Sequence, residues 1–155
     1  MAVIQDIALR YDARIGRCDI AVEGRDLAVD RTPVSRMLLR LGCDARARAD
    51  DRLPEEPEAA PPSVVVLNPR RGWAGDALSL AGRRLGSRLW LLARAKQTEE
   101  TRLSAIRYAE EALARLGNDL GLAIRVTASW PRRGLLQLVV RAGRTEIRVT
   151  QQVGA

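Results

Sequence analysis

Three short segments near the end of the chain, LAIRVTASW, LLQLVVRA and TEIRVTQQV, are separated by a PRRG turn and by Gly143-Arg144. In the first, Leu122, Ile124, Val126, Ala128 and Trp130 recur at every second residue, the period of a strand with one buried face. Such segments joined by tight turns make a three-stranded antiparallel meander. Its apolar face has to be covered, and that requirement limits what the rest of the chain can do. The preceding stretch predicts a covering helix. Thr98 is placed to cap it, Glu99 and Glu100 fall in the first turn where the helix dipole favours negative charge, and Gly117 is the expected stop. The apolar face expected of this helix is Leu103, Ile106, Ala109, Leu113 and Leu116.

The start of the chain reads as a β-hairpin, with Val3 to Arg10 and Cys18 to Glu23 as alternating strands around a polar stretch that ends in Gly16. The pieces DIAL (6–9) and DIAV (19–22) look alike, but a four-residue echo is too short for a repeat architecture. Gly24 closes the second strand, and DLAVD leads to Thr32-Pro33, a cap and first turn for a short helix carrying Val34, Met37, Leu38 and Leu41 up to Gly42. From Gly42 to Asn68 the pattern breaks. Charged residues crowd together with Pro54, Pro57, Pro61 and Pro62, which predicts an exposed, extended arm at about 44–62, followed by one short strand at VVVL (64–67). Turn glycines at 72, 75, 82 and 86 then accompany an apolar cluster of Leu85, Leu89, Trp90 and Leu92, with Ser87 as cap of a helix running to about Lys96. The fold expected is α+β: an N-terminal β-hairpin, then two to three helices packed on a mainly antiparallel sheet with the C-terminal three-stranded meander. At 155 residues, it is expected to form one domain over 1–155.

Composition narrows the chemistry. Hydrophobic types make up 46% and charged types 29%, which is globular usage, so any disorder should be local. The chain has no histidine, which removes Ser-His-Asp and Cys-His nucleophile systems and histidine-containing zinc sites. Phenylalanine is also absent, so Leu, Val, Ile and Ala must pack the core. Cys18 and Cys43 form no CxxC pattern and are read as reduced structural thiols. No catalytic, cofactor-binding or metal-binding residue is expected. The paired carboxylates Asp50-Asp51, Glu55-Glu56, Glu99-Glu100 and Glu110-Glu111 are adjacent and point apart, unlike a glycosidase pair facing across a cleft. The glycines match neither GxxxxGK[ST] nor GxGxxG. MAVIQDIALR is unlike a secretory signal, and no window reaches the ~18 apolar residues of a membrane span, so a soluble product made in the cytoplasm is expected.

The formal net charge is +7, from 26 basic and 19 acidic residues, and Lys96 is the only lysine. Met1 to Pro62 carries 10 basic and 12 acidic residues, whereas Ser63 to Ala155 carries 16 and 7. A basic half suits nucleic acid, an anionic membrane surface or an acidic protein partner. Arg70-Arg71, Arg83-Arg84 and Arg132-Arg133 are candidate phosphate contacts, but only Trp73 and Trp130 lie near them as stacking aromatics. Trp73, flanked by glycines, anchors either its own loop or a partner, since aromatic and Arg anchors dominate interface hot spots. Trp90 reads as core.

In order along the chain, DIALRYD, RARADDRLP, RRGWAGDA, GSRLWLLARAKQT and VTASWPRRGLLQLVV resemble the small baseplate wedge protein of Mu-type contractile-tail phages, a relative of the small wedge subunit of T-even phages. The likeness runs from Asp6 to about Val149. It implies a structural virion protein of the tail baseplate, assembled in the host bacterial cytoplasm, that joins larger wedge subunits around the hub and tube and helps initiate sheath assembly. Its partners would be those wedge subunits, the hub and tube proteins and the tail sheath protein, with no small-molecule substrate and no membrane. Carried over by residue, the loop block is Arg46, Arg48, Asp50, Asp51, Arg52 and Pro54. The Gly-Trp block is Arg71, Gly72, Trp73, Gly75 and Asp76, and the following block is Gly86, Ser87, Leu89, Trp90, Arg94, Lys96 and Gln97. The implied protein interface draws on Arg46, Arg48, Asp50 and Asp51 of the first, on all five residues of the second, and on Arg94 and Lys96 of the third. Two departures stand out: Trp73-Ala74 replaces the family's usual Trp-Trp, and Glu55 to Asn68 looks like a Pro-rich insertion. The Glu-Pro-Arg signature of the T-even branch is not present as such, and Asp44-Ala45-Arg46 is the candidate for its place. The wider family has carried a lysozyme label that nothing in this sequence supports. Two other readings stay open at this point, a baseplate-associated peptidoglycan hydrolase and a nucleic-acid-binding module.

Overall fold

The computed structural model describes residues 5–12, 14–54, 68–79 and 84–154. Strands β1 (Asp6–Ile7), β2 (Leu9–Asp12), β3 (Arg17–Ile20), β4 (Val22–Glu23), β5 (Asp26–Leu27) and β6 (Val29–Asp30) form three two-stranded arms, β1 with β6, β2 with β3 and β4 with β5. The expected hairpin is therefore part of a larger unit. DIAL and DIAV have a third copy, DLAV at 26–29, and the three copies are related as if by a threefold axis. Position two of each copy pairs with position four of another: Ile7 with Val29, Ile20 with Leu9, Leu27 with Val22. The three central alanines close the ring, Ala8 N–H donating to the Ala28 carbonyl at 2.8 Å, Ala28 to Ala21 at 2.9 Å and Ala21 to Ala8 at 2.8 Å. Each leading aspartate accepts from the next N–H, at Ile7, Ile20 and Leu27. Alanine suits the centre because Ala21 and Ala28 are buried where three backbones meet. Four-residue spacing was too short to suggest this arrangement because its pairing is not local: Ala8 and Ala28 meet across the unit.

Helix α1 (Val34–Gly42) follows, with Met37, Leu38 and Leu41 buried as its spacing predicted. Its N-terminus is held chiefly by Asp30, whose carboxylate accepts from Ser35 N–H at 2.8 Å and from the Ser35 and Thr32 hydroxyls. Thr32 accepts from Val34 N–H only at 3.3 Å, and the N-cap position falls on Pro33, one residue later than expected, so Asp30 supplies the acceptor a cap side chain would otherwise give.

The expected helix after Ser87 is reduced to one 3-10 turn, Leu89–Leu92, in which all four residues are buried. Leu89 and Leu92 face the main core, and Trp90 and Leu91 join Ala47 and Leu53 in a second cluster. Apolar contact on both sides leaves no solvated face for an amphipathic helix. Helix α2 (Glu99–Leu120) begins as expected, Thr98 accepting from Thr101 N–H at 3.2 Å. It runs past Gly117 to a left-handed Gly121. Gly117 lies inside the helix, where glycine is needed for close approach, since a Cβ there would stand 2.9 Å from the Leu122 carbonyl oxygen. The buried face is also shifted: Ala105, Ala109, Ala112, Leu113 and Leu116 are covered, while Leu103 is exposed.

Strands β7 (Ile124–Arg132), β8 (Leu135–Ala142) and β9 (Thr145–Gln152) form the meander in that order, antiparallel throughout, with an irregularity between Ser129 and Arg132. Val126, Ala128, Leu136, Leu138, Val140 and Ile147 meet α1 and α2 in the main core. The α+β architecture with a C-terminal meander is therefore observed. Tyr11 joins the N-terminal unit to β9, its hydroxyl accepting from Thr150 N–H at 2.7 Å. Of the expected arm, 44–54 packs on the body, with Ala47 and Leu53 buried. The remainder of the arm, the VVVL strand, Gly82 and Arg83 lie outside the described residues. No helix among the described residues is long and apolar enough to cross a membrane.

Candidate protein interface

Residues 43–47 are clasped between two loops. On one side Ala45 N–H donates to the Ser87 carbonyl and Ser87 N–H to the Cys43 carbonyl, both at 2.9 Å, and Ser87 Oγ donates to the Leu41 carbonyl at the end of α1. On the other, Ala47 N–H donates to the Arg70 carbonyl at 2.9 Å. Two glycines permit these close approaches. At Gly86, with φ +107°, a Cβ would stand 2.6 Å from Ala45 N and Cys43 O, and at Gly72, with φ +106°, it would stand 2.9 Å from Arg46 Cβ. Arg71 occupies a left-handed conformation with φ 47°, held by hydrogen bonds in both directions with Asn68. Its guanidinium pairs with Asp44 at 2.8 Å and lies 4.5 Å over the Trp90 ring, whose Nε1 donates to the Ala45 carbonyl. Trp90 is thus core, as expected, and is also the roof of the clasp.

Beside the clasp runs an ion network. Arg88 is buried, and its Nη1 donates to both oxygens of Asp51, at 2.6 and 2.9 Å, while Nη2 reaches Glu111 on α2 at 2.5 Å. Arg48 also meets Glu111 at 2.6 Å, and its N–H donates to Asp51. The Arg88 guanidinium stacks over Tyr108, 4.6 Å from the ring centre. Burial raises the Asp51 pKa as its largest single influence, but hydrogen bonds from Arg88 and the Arg48 backbone together with their charges outweigh it, so the carboxyl ionises below its ordinary value. Arg88 mirrors this: burial opposes its charge, and bonds to Glu111 and Asp51 more than restore it.

The family-derived residues divide accordingly. Arg46, Arg48, Asp51, Arg71 and Gly72 converge at the clasp, and Asp50 is exposed at its rim. Trp73, half-exposed at 51%, lies against Gly75, and Asp76 accepts from Leu85 N–H at 2.9 Å to close that turn. Arg94 is apart from them, donating to the Pro54 carbonyl, and Lys96 sits exposed just before α2. The residues that sequence reasoning missed are Arg88, Glu111 and Tyr108. The available signal was an arginine inside the apolar run SRLWLL, a charge that burial obliges to find partners.

Among the described residues, the carboxyls with displaced pKa, Asp12, Asp30, Asp51, Glu99 and Glu146, are all displaced downward by hydrogen-bonding partners. A general acid would need the opposite displacement. Fold and site together define an α+β protein whose charged residues are arranged in guanidinium-carboxylate pairs around a clasped loop. The chain belongs to the phage protein GP46 family, whose model matches residues 33–152. It is 39% identical over 126 residues to the baseplate protein gp46 of Escherichia phage Mu, covering 81% of this chain and 79% of that protein. It is 29% identical over 138 residues to the Mu-like prophage FluMu protein gp46 of Haemophilus influenzae, covering 88% and 85%. No solved structure matches the chain.

Proposed function

We propose that this chain is a structural component of a contractile phage-type tail baseplate. The observation carrying the reading is its identity with the Mu baseplate protein over most of both chains. As one domain it joins larger wedge subunits around the hub and tube and helps initiate the sheath, after assembly in the host bacterial cytoplasm. Supporting this, the half-exposed Trp73 stands on a loop fixed by Gly72 and by the contacts of Arg71 with Asp44 and Trp90, a rigid aromatic anchor of the sort that carries interface energy. Five apolar residues of the threefold unit, Ile7, Ile20, Val22, Leu27 and Val29, are also 44–62% exposed. So dense a cluster on a small unit suits contact with other chains.

The chain acts without turnover. Incubation of the purified protein with peptidoglycan should release no fragments, and release abolished by a single Glu→Gln change would overturn the structural reading. Assembly is tested through Trp73→Ala, expected to keep the melting temperature within a few degrees while blocking incorporation into baseplates, a loss at the contact of about 2 kcal/mol or more. Trp90→Ala is the control, costing the monomer about 3–5 kcal/mol through the cavity it leaves. Should Trp73→Ala melt the monomer while the remaining folded protein assembles normally, Trp73 is a plug in its own loop.

A further inference from the structure

Positive charge accumulates without balance on one side of the ion network. A cleft of about 140 Å³ lies between the end of α1, the clasp and α2, and its cationic lining is Arg40, Arg46, Arg48, Arg84, Arg88 and Arg115. Glu111 is the carboxylate in that lining, and Arg48 and Arg88 already share it. Arg115 reaches Asp119 at 3.7 Å. The side chains of Arg40, Arg46 and Arg84 have no ion pair or hydrogen bond with any described residue, and Arg46 and Arg84 are exposed. Arg88 also lines the cleft; its side chain is only 8% exposed and its Nε is buried with no acceptor. A buried donor left unpaired costs about 1–3 kcal/mol, more when it is charged, so further positive charge beside it is poorly compensated within the chain. Burial also pulls the Arg40 pKa below its ordinary value, as do the charges of Arg115 and Arg36, against the opposing charge of Asp119.

We propose that this cleft receives the carboxylates of an acidic segment from a neighbouring baseplate chain, with Arg40, Arg46 and Arg84 as receiving forks. Guanidinium groups bind carboxylates in two-point fashion, and three uncommitted ones from three different elements converge here. Nucleic acid fits less well. Tyr108 is the aromatic side chain of the lining, and its ring is already engaged, packed against both apolar clusters and with Arg88 and Arg107 over it at 4.6 and 5.4 Å, unlike an open stacking platform for a base.

The inference rests on the baseplate reading, and one experiment separates the two. With Lys96 as the only native lysine, Arg46→Lys and Arg84→Lys each add one amine to the cleft and keep the charge. Assembled particles carrying either variant are treated with a water-soluble carbodiimide. The reagent activates a carboxylate, the lysine amine displaces it to form an amide, and the elements of water leave with the reagent as its urea. The expected result is a cross-link from both positions to Asp or Glu residues of one segment in another chain, mapped by peptide mass spectrometry. Arg125→Lys, exposed on β7 away from the cleft, should lack that cross-link. Particles that contain the variant but show only links to this chain's own Glu111 or Asp119, or none, overturn the cleft proposal and leave the baseplate reading standing. Absence of unmodified protein from the particle overturns the baseplate reading itself, and the proposal with it. Tight binding of a single-stranded DNA oligonucleotide by the isolated protein, lost with Arg46→Ala and Arg84→Ala, would assign the cleft to phosphate and also overturn the proposal.

Discussion

Asp51→Ala is the most informative single perturbation of the fold. Arg88 and Asp51 are 8% and 11% exposed, and the carboxylate accepts both Nη1 contacts and the Arg48 N–H. Removing it leaves Nη1 without an acceptor beside an Nε that already lacks one. Breaking a buried pair on one side costs roughly 3–5 kcal/mol. Glu111 still holds Nη2, so the lower end applies, about 3 kcal/mol. Glu111 itself is 43% exposed, and screening reduces its loss in Glu111→Ala to about 1 kcal/mol or less. The double variant Arg88→Met with Asp51→Leu removes both charges and should return to within about 1 kcal/mol of the native protein, since no unpaired charge stays buried. Urea unfolding with unchanged slope measures all three, and for a chain of this size the single variant should melt about 6–12 °C lower. If Asp51→Ala lies within about 1 kcal/mol of native, or the double variant is as unstable as the single, the pair is not what secures the clasp.

Gly86→Ala should cost at least about 2 kcal/mol because its Cβ would meet the Ala45 and Cys43 backbone at 2.6 Å. Gly121→Ala has the same sign of φ but open space around it, and should cost only about 1 kcal/mol; equal melting temperatures for the two would refute the close-approach argument. Ala21→Leu should lose about 1–3 kcal/mol by overfilling the alanine ring, with hydrogen-exchange protection falling first in residues 6–30. Stability should also fall in acid. Asp30 and Asp51 have folded pKa values below the ordinary one, so their contribution is complete above the unfolded value of about 4 and is lost as pH falls through the lower folded values. The urea midpoint followed from neutral pH into acid should drop less steeply in Asp51→Asn.

The meander, the start of α2 and the buried face of α1 could be read directly, because each is specified by a period or a cap within about twenty residues. Val126 and Ala128 are buried because they alternate, and Thr98 caps because its hydroxyl reaches Thr101 three residues on. The family could be read from ordered blocks of residues, which need no geometry at all. What tertiary structure alone decided are contacts between residues far apart in the chain. The three DIAL-like copies became a threefold unit only when Ala8, Ala21 and Ala28 met. LWLL lost its helix because both its sides are covered. Half of the charged arm turned inward because Arg88, stranded in an apolar run, draws Asp51 from 37 residues away and Glu111 from 23. A period records only which way a side chain faces relative to its neighbours along the chain; the cost of leaving a buried charge unpaired depends on what arrives from elsewhere, and no local spacing encodes that.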